Sequence, residues 1–367
     1  MRAAVLYEPK TRIAVENVDI QKPKDGEVLV KMAAAGICHS DLHVFDGFVP
    51  APLPVVMGHE GAGVVEEVGA GVTSAQVGDH VILVWRPACG TCYFCQKGRP
   101  ALCEFGTKMR WGGTLADGTS RLSIGDKVIR HFGCVSTFGE YSVVPQQGLV
   151  PIRKDIPLDV AALVGCGVMT GVGAVVNGAR VEPGASVLVV GCGGVGLNVI
   201  QGAALAGAET IIASDVLDSK LEMAREFGAT HTLNANEVAS TPEAVKELTE
   251  GRGADYAFEV IGNPVTQLIC YESIRRGGQA MMVGLAPTDA QLSIPVSNMV
   301  LEEKQLTSTM YGTCQPHFDV PRILNLYLAG KLQLDELISR RIDISEVNEA
   351  FEALSRGEVA RQVIAFN

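Results

Sequence analysis

One stretch narrows the fold more than any other. Ser186 to Val190 reads as a buried strand, Gly191-Cys192-Gly193-Gly194-Val195-Gly196 follows it, and Leu197 to Ala206 reads as a helix. This is G-x-G-x-x-G between a strand and a helix, the context in which the pattern carries meaning. The first glycine permits a sharp turn, the second lets backbone approach a pyrophosphate, and the third lets helix and strand pack closely. The free N–H groups at the helix start then face the phosphates with partial positive charge. Asp215 ends the next strand, near the expected offset of about 20 residues. A carboxylate there accepts both adenosine ribose hydroxyls and repels a 2′-phosphate, which favours NAD over NADP. Lys220 lies one helical turn beyond Asp215, within reach of the ribose. The competing reading is a glycine-rich turn in an unrelated α/β sheet.

The surrounding chain supports a doubly wound fold. Thr210–Asp215 reads as the next strand and Ser219–Phe227 as the next helix, and strands at Tyr256–Val260 and Gln279–Val283 continue the series. Such alternation means parallel βαβ units with helices on both faces. Before Gly165 the character is different: short β-branched runs at Val28–Met32, Gly63–Val68 and His80–Val84 are separated by turns such as Gly78-Asp79. At 367 residues the chain is long enough for about two domains at roughly 150 residues each. We expect a β-rich catalytic domain over 1–167, a Rossmann domain over 168–310, and a segment, 311–367, that returns to the first domain and is helical with one closing strand.

Net charge is −11, from 30 basic and 41 acidic residues. That argues against a nucleic-acid or anionic-membrane surface. The apolar stretch Val187–Leu197 is about half a membrane span and is interrupted by glycines, so a buried strand and turn explain it. Charged residues follow the first residues at once, unlike a signal peptide. A cytoplasmic protein is the expectation, and cysteines in a reducing compartment read as metal ligands rather than disulfides.

Ten cysteines are present. Cys89, Cys92, Cys95 and Cys103 form C-x2-C-x2-C-x7-C, within a lobe at 88–104. Four thiolates this close wrap a tetrahedral zinc and leave no open position, which makes a structural site. A redox C-x-x-C would need only two of them. Cys38, His59 and Cys166 are dispersed. Each alone reads more simply as a small core thiol or a satisfied histidine.

Taken together, Gly58-His59-Glu60, the four-cysteine lobe, the glycine loop with Asp215, and Asp117-Gly118-Thr119-Ser120-Arg121 followed by Ser136-Thr137-Phe138 resemble the zinc-containing medium-chain alcohol dehydrogenases, nearly end to end. The resemblance implies a GroES-like catalytic domain beside the Rossmann domain. It also implies that Cys38, His59 and Cys166 hold a catalytic zinc with one position open to water or substrate. A Cys₂His set is the known alcohol dehydrogenase arrangement. Two thiolates neutralise the metal charge, the imidazole adds none, and the site stays acidic enough to ionise an alcohol near neutral pH. Two zinc ions per subunit are therefore expected.

By the same resemblance, Ser40 and His43 form a proton relay, Asp41 orients the zinc-bound histidine, and Glu60 lies close behind the metal. Arg361 sits near that carboxylate and the cofactor phosphate, and Thr170 and Val195 pack on the nicotinamide. Trp85 and Phe132 are expected to face the substrate, with Gly133 opening space further out, although large aromatics commonly serve only burial. The expected reaction is reversible hydride transfer between a small primary alcohol, aromatic ones included, and NAD, giving aldehyde and NADH. A thiol-adduct formaldehyde dehydrogenase is the second reading. The absence of an acid between Phe48 and Met57, where those relatives carry acids, lowers it. A non-catalytic dinucleotide-binding protein is the third. The Asp117–Phe138 segment resembles the longer loop of dimeric relatives, so a homodimer paired through Ser293–Thr313 is expected, with a tetramer the alternative.

His39 stands where some relatives place an arginine on the pyrophosphate, and a histidine is only partly charged at neutral pH. His39→Arg should therefore bind NADH more tightly and release it more slowly in stopped-flow measurements. A faster release would refute this role.

Overall fold

The computed structural model describes every residue except Glu358 and Asn367, and the chain divides into two compact units, 1–167 with 315–367, and 168–314. The first unit is built on a sheet ordered Leu149–Ile152, His80–Leu83, Glu60–Val68, Glu27–Ile37, Arg361–Ala365 and Ile338–Ile342, with Tyr141–Pro145 also paired to Glu27–Ile37. Its long central strand, Glu27–Ile37, buries valines and alanines on the sheet and carries the chain directly into the helix His39–Phe45. A second sheet joins Arg2–Leu6, Val55–Val56 and Lys127–His131 with three further strands. The C-terminal segment supplies two strands rather than the one closing strand expected. Ile338–Ile342 pairs parallel to Arg361–Ala365, which pairs antiparallel to Glu27–Ile37. The first was hidden because Ser339, Arg340 and Arg341 at its centre are exposed and give no apolar run; as a sheet edge it needs little buried surface.

The second unit is a single parallel sheet. Its order is His231–Asn234, Thr210–Asp215, Ser186–Val190, Ala254–Glu259, Ile274–Met282, Gln305–Ser308. In chain order that is 3-2-1-4-5-6, the Rossmann arrangement. Val187, Leu188 and Val189 are fully buried, because helices cover both faces of such a sheet. Strand Gln305–Ser308, within the expected pairing region, lies at the sheet edge. The longest apolar helix is Leu158–Ala179, longer than the Val187–Leu197 stretch singled out from sequence. It is 22 residues long and apolar enough to cross a membrane, yet 83% of its most apolar 18-residue stretch is buried inside the protein, as in a core helix.

The Asp117–Arg121 motif is an internal latch. Arg121 is completely buried, and its guanidinium donates to both Glu27 oxygens at 2.8 and 2.5 Å, to Asp117 at 2.9 Å and to Thr119 Oγ1 at 2.5 Å. A buried guanidinium is tolerable only with such full pairing. Beside it, His131 is buried and its Nε2 accepts the Arg121 amide at 3.1 Å. Burial, with the like charge of Arg121, pushes the His131 pKa down from 6.5 to about 3.

The folded protein therefore refuses a proton that the unfolded chain accepts below pH 6.5. This contribution to stability is complete above that value and drains away as pH falls toward 3. At about 1.4 kcal/mol per pH unit, roughly 2 kcal/mol is lost between pH 6.5 and 5. His131→Gln keeps an acceptor but cannot titrate. Urea unfolding at the two pH values should show a loss smaller by about that amount than in the wild type.

Candidate metal centre and dinucleotide loop

Sheet register assembles the first site. Gly36 pairs with Glu60, and Ile37 pairs with Gln362. Cys38, His59, Glu60 and Arg361 therefore emerge side by side at one end of three strands. Cys166 joins them from the helical segment that begins at Leu158. One ligand atom from each of Cys38, His59, Glu60 and Cys166 lies within 4.8 Å of all the others, and all four residues are buried.

Asp41, fully buried on the first turn of the His39–Phe45 helix, holds this set in place. Its Oδ2 accepts the Cys38 amide at 3.0 Å and its Oδ1 meets His59 Nδ1 at 2.8 Å. That contact puts the proton on Nδ1 and leaves Nε2 as a bare donor facing the sulfurs. His59 Nε2 is buried and has no hydrogen-bond partner; the same holds for Glu60 Oε2. Two buried lone pairs beside two thiols are costly unless a cation receives them. The neighbouring Cys166 thiol, against the cost of burial and with help from Arg361 and His59, holds the Cys38 pKa well below the usual thiol value. The donor set of two sulfurs and one imidazole fits zinc.

Glu60 is bound from the other side. Its Oε1 accepts the Gly167 amide at 3.1 Å and faces Arg361 NH1 at 3.4 Å, and burial still pushes its pKa up to about 8. Arg361 also donates to the Ile37 carbonyl. A Cβ on Gly167 would lie 1.9 Å from Arg361 NH2, so only glycine admits this guanidinium. Gly36 similarly makes room for Glu60 Oε2. These two glycines were missed from sequence, although each flanks a ligand cysteine. Glu60 offers a carboxylate oxygen to the same cluster as the cysteines and His59.

Trp85 and Phe132 pack edge-on against the His59 ring, with centroids 5.9 and 5.6 Å away. Gly133 adopts φ +56°, and a Cβ there would meet Trp85 Cβ at 3.2 Å. Ser40 and His43 lie on the His39–Phe45 helix, partly buried, and burial lowers the His43 pKa below 6.5. His39 is exposed at the start of that helix.

The cysteine lobe forms a second cluster. Cys89, Cys92, Cys95 and Cys103 bring their sulfurs within 4.8 Å of one another, and Cys103 Sγ lies 3.6 Å from Cys89 Sγ and 3.9 Å from Cys92 Sγ. A zinc tetrahedron with Zn–S bonds of about 2.3 Å needs edges of about 3.8 Å. The amides of Cys89 and Cys92 point at neighbouring sulfurs, each at 3.3 Å. Backbone donors from Thr91 and Cys92 bring the Cys89 pKa down to about 6, which favours the thiolate a metal binds. All ten cysteines are free of disulfides.

In the second unit the glycine loop has the geometry its sequence requires. Gly191 adopts φ +101°, a Cβ on Gly196 would sit 1.8 Å from the Gly191 carbonyl, and Gly193 faces open space. Gly194 and Val195 open the helix Gly194–Ala206. Asp215 closes the loop from the adjacent strand: its Oδ2 accepts the Cys192 amide at 2.8 Å and its Oδ1 accepts the Val216 and Leu217 amides. Lys220 Nζ is 4.0 Å away. Thr170 is partly buried on Met169–Gly173. Also unforeseen is Glu259, fully buried at the end of the neighbouring strand. Its Oε1 takes the Ile261 and Gly262 amides and the Thr266 hydroxyl, tying down the next loop.

Comparison with known proteins agrees with both halves of this description. Residues 24–154 match the alcohol dehydrogenase GroES-like domain and residues 194–328 match the zinc-binding dehydrogenase domain. An S-(hydroxymethyl)glutathione dehydrogenase of Paracoccus denitrificans is 39% identical over 100% of this chain and 99% of its own length. An NDMA-dependent alcohol dehydrogenase of Amycolatopsis methanolica is 40% identical over 99% of this chain and 98% of its own. The crystal structure of benzyl alcohol dehydrogenase from Acinetobacter calcoaceticus superposes with a TM-score of 0.94 at 32% identity, covering 100% and 99% of the two chains.

Asp41→Asn keeps the size of the side chain but removes the charge that orients His59. Zinc at the Cys38–His59–Cys166 cluster should then bind roughly 10- to 100-fold more weakly. Metal analysis during chelator titration should show one zinc lost early and the zinc of the cysteine lobe retained. Parallel loss of both would contradict the assignment.

Proposed function

The chain belongs to the zinc-containing medium-chain alcohol dehydrogenase family and is a zinc-dependent alcohol dehydrogenase, and from that premise we propose that it transfers hydride reversibly between a small primary alcohol and NAD. The observation that carries the proposal is the buried Cys38, His59 and Cys166 set, whose imidazole nitrogen is aimed at the sulfurs with nothing to receive it. When bound, zinc acidifies the alcohol hydroxyl and polarises the aldehyde carbonyl, and the nicotinamide carries the hydride. The protein's own part is positioning and proton handling. Asp41 fixes the tautomer and direction of His59. Arg361 and the Gly167 amide hold Glu60 behind the cluster; we assign Arg361 to that carboxylate, with any contribution to the cofactor secondary.

Trp85 and Phe132 wall the space beside His59 and suit a flat, apolar alcohol. A relative named benzyl alcohol dehydrogenase supports an aromatic alcohol. We assign Ser40 and His43 to the outward path of the proton. With its pKa lowered by burial, His43 is neutral at pH 7 and can accept a proton from within. We propose that the glycine loop binds the NAD pyrophosphate, with Val195 and Thr170 on the nicotinamide side. Asp215 selects NAD: backbone amides on both oxygens hold it at the end of its strand, and a carboxylate there repels a 2′-phosphate. We propose a cytoplasmic homodimer joined through the edge strand Gln305–Ser308.

A second substrate reading draws support from relatives named S-(hydroxymethyl)glutathione dehydrogenase. Initial rates on a panel of primary alcohols, and on formaldehyde with and without glutathione, separate the two. Asp215→Ala should lower kcat/KM for NAD by roughly 10- to 100-fold, the range for losing hydrogen bonds to a charged group, while narrowing the preference over NADP. An unchanged cofactor ratio would remove Asp215 from the selection.

A further inference from the structure

Arg110 is a cation without an anion. It lies on the helix Glu104–Gly112, in the same unit as the Cys38–His59–Cys166 cluster. Its guanidinium carbon sits 5.4 Å from the Trp85 ring centroid and 4.9 Å from that of Trp111. Among the described residues no carboxylate pairs with it; burial and the like charge of Arg86 bring its pKa down to about 10, so it remains cationic at neutral pH. Arg86 faces the same Trp85 ring but is committed to the fold: its Nε and NH2 donate to the Ala101 carbonyl at 2.9 and 2.7 Å, and NH2 also to Thr107 Oγ1 at 3.1 Å. Two arginines thus crowd one indole, and only one is consumed by backbone and side-chain acceptors.

Trp85 links Arg110 to the metal centre. The indole packs edge-on against His59 at 5.9 Å, so the guanidinium and the His59 ring contact the same side chain. Stacking on tryptophan leaves the edge of a guanidinium, with its N–H fork, free to bind a carboxylate in the plane. A half-desolvated guanidinium is unfavourable unless something compensates it, and a bidentate anion compensates far better than a ring face.

Resting on the dehydrogenase reading above, we infer that Arg110 is a substrate-binding residue that selects alcohols bearing a carboxylate at the end remote from the hydroxyl. The hydroxyl end goes to the Cys38–His59–Cys166 cluster, the body lies along Trp85 and Phe132, and the carboxylate meets Arg110. Two sources share this chemistry: an aromatic alcohol with a ring carboxylate, and a glutathione adduct with its own carboxylates.

The test uses the zinc-loaded enzyme and three substrates: benzyl alcohol, 4-(hydroxymethyl)benzoate, and formaldehyde with glutathione. The wild type should favour one of the two carboxylate-bearing substrates over benzyl alcohol, and which one identifies the source. Arg110→Gln should lower that preference about 10- to 100-fold, mainly through KM, as expected for losing a charged hydrogen bond. Arg110→Lys should restore part of it. If Arg110 only clips its helix onto Trp85, the variant will slow all substrates alike, and the inference is overturned. It is also overturned if the wild type shows no preference for a carboxylate.

Failure of every substrate to turn over would count against the dehydrogenase reading, and binding then decides about Arg110 separately. Calorimetric titration with 4-(hydroxymethyl)benzoate and with S-(hydroxymethyl)glutathione should show one of them binding the wild type about 10- to 100-fold more tightly than Arg110→Gln. Equal affinities, or no binding of either, overturn the inference.

Discussion

The pairing of His59 Nδ1 with the buried Asp41 carboxylate organises the metal centre. It fixes the imidazole so that Nε2 has nowhere to go but toward Cys38 and Cys166. The same carboxylate takes the Cys38 amide and so sets the start of the helix that carries Ser40 and His43. One buried acid thereby positions Cys38, His59 and the first turn of that helix. Its own charge is tolerable in the interior only because a histidine and a backbone N–H face it.

Around that pair the first unit buries more charge than a globular core usually accepts. Asp41, Glu60, Arg361 and two thiols lie within a few side-chain contacts of His59. Arg361 offsets Glu60, yet burial still pushes that carboxyl up to about 8. Two lone pairs remain without partners. An interior of this kind is stable when a divalent cation completes it, so metal binding and folding of this region are linked. The Arg121–Glu27 latch solves a similar problem without a metal, by surrounding the guanidinium with carboxylates and hydroxyls.

The two units illustrate different relations between pattern and fold. In the Rossmann unit a local rule dominates: a parallel strand covered on both faces must be apolar throughout, and a helix approaching a strand over a tight turn needs glycine. Ser186–Val190 and Gly191–Gly196 therefore declared themselves. In the first unit the ligands arise 21 residues apart and then more than 100 further on, so nothing local marks them; their meaning came from resemblance. The Ile338–Ile342 strand was missed because an edge strand with exposed arginines carries little hydrophobic signal.

By itself the sequence determined the βαβ series, the glycine loop with its acid, and the four-cysteine lobe. In each, the residues that act together are close in the chain or repeat with the period of their element. Only the tertiary structure decided that Cys38, His59, Glu60 and Cys166 form one cluster, that Gly36 and Gly167 admit Glu60 and Arg361, and that Arg110 rests on Trp85 with no carboxylate paired to it among the described residues. Strand register and helix packing bring those groups together, and neither can be read from a side chain's neighbours along the chain.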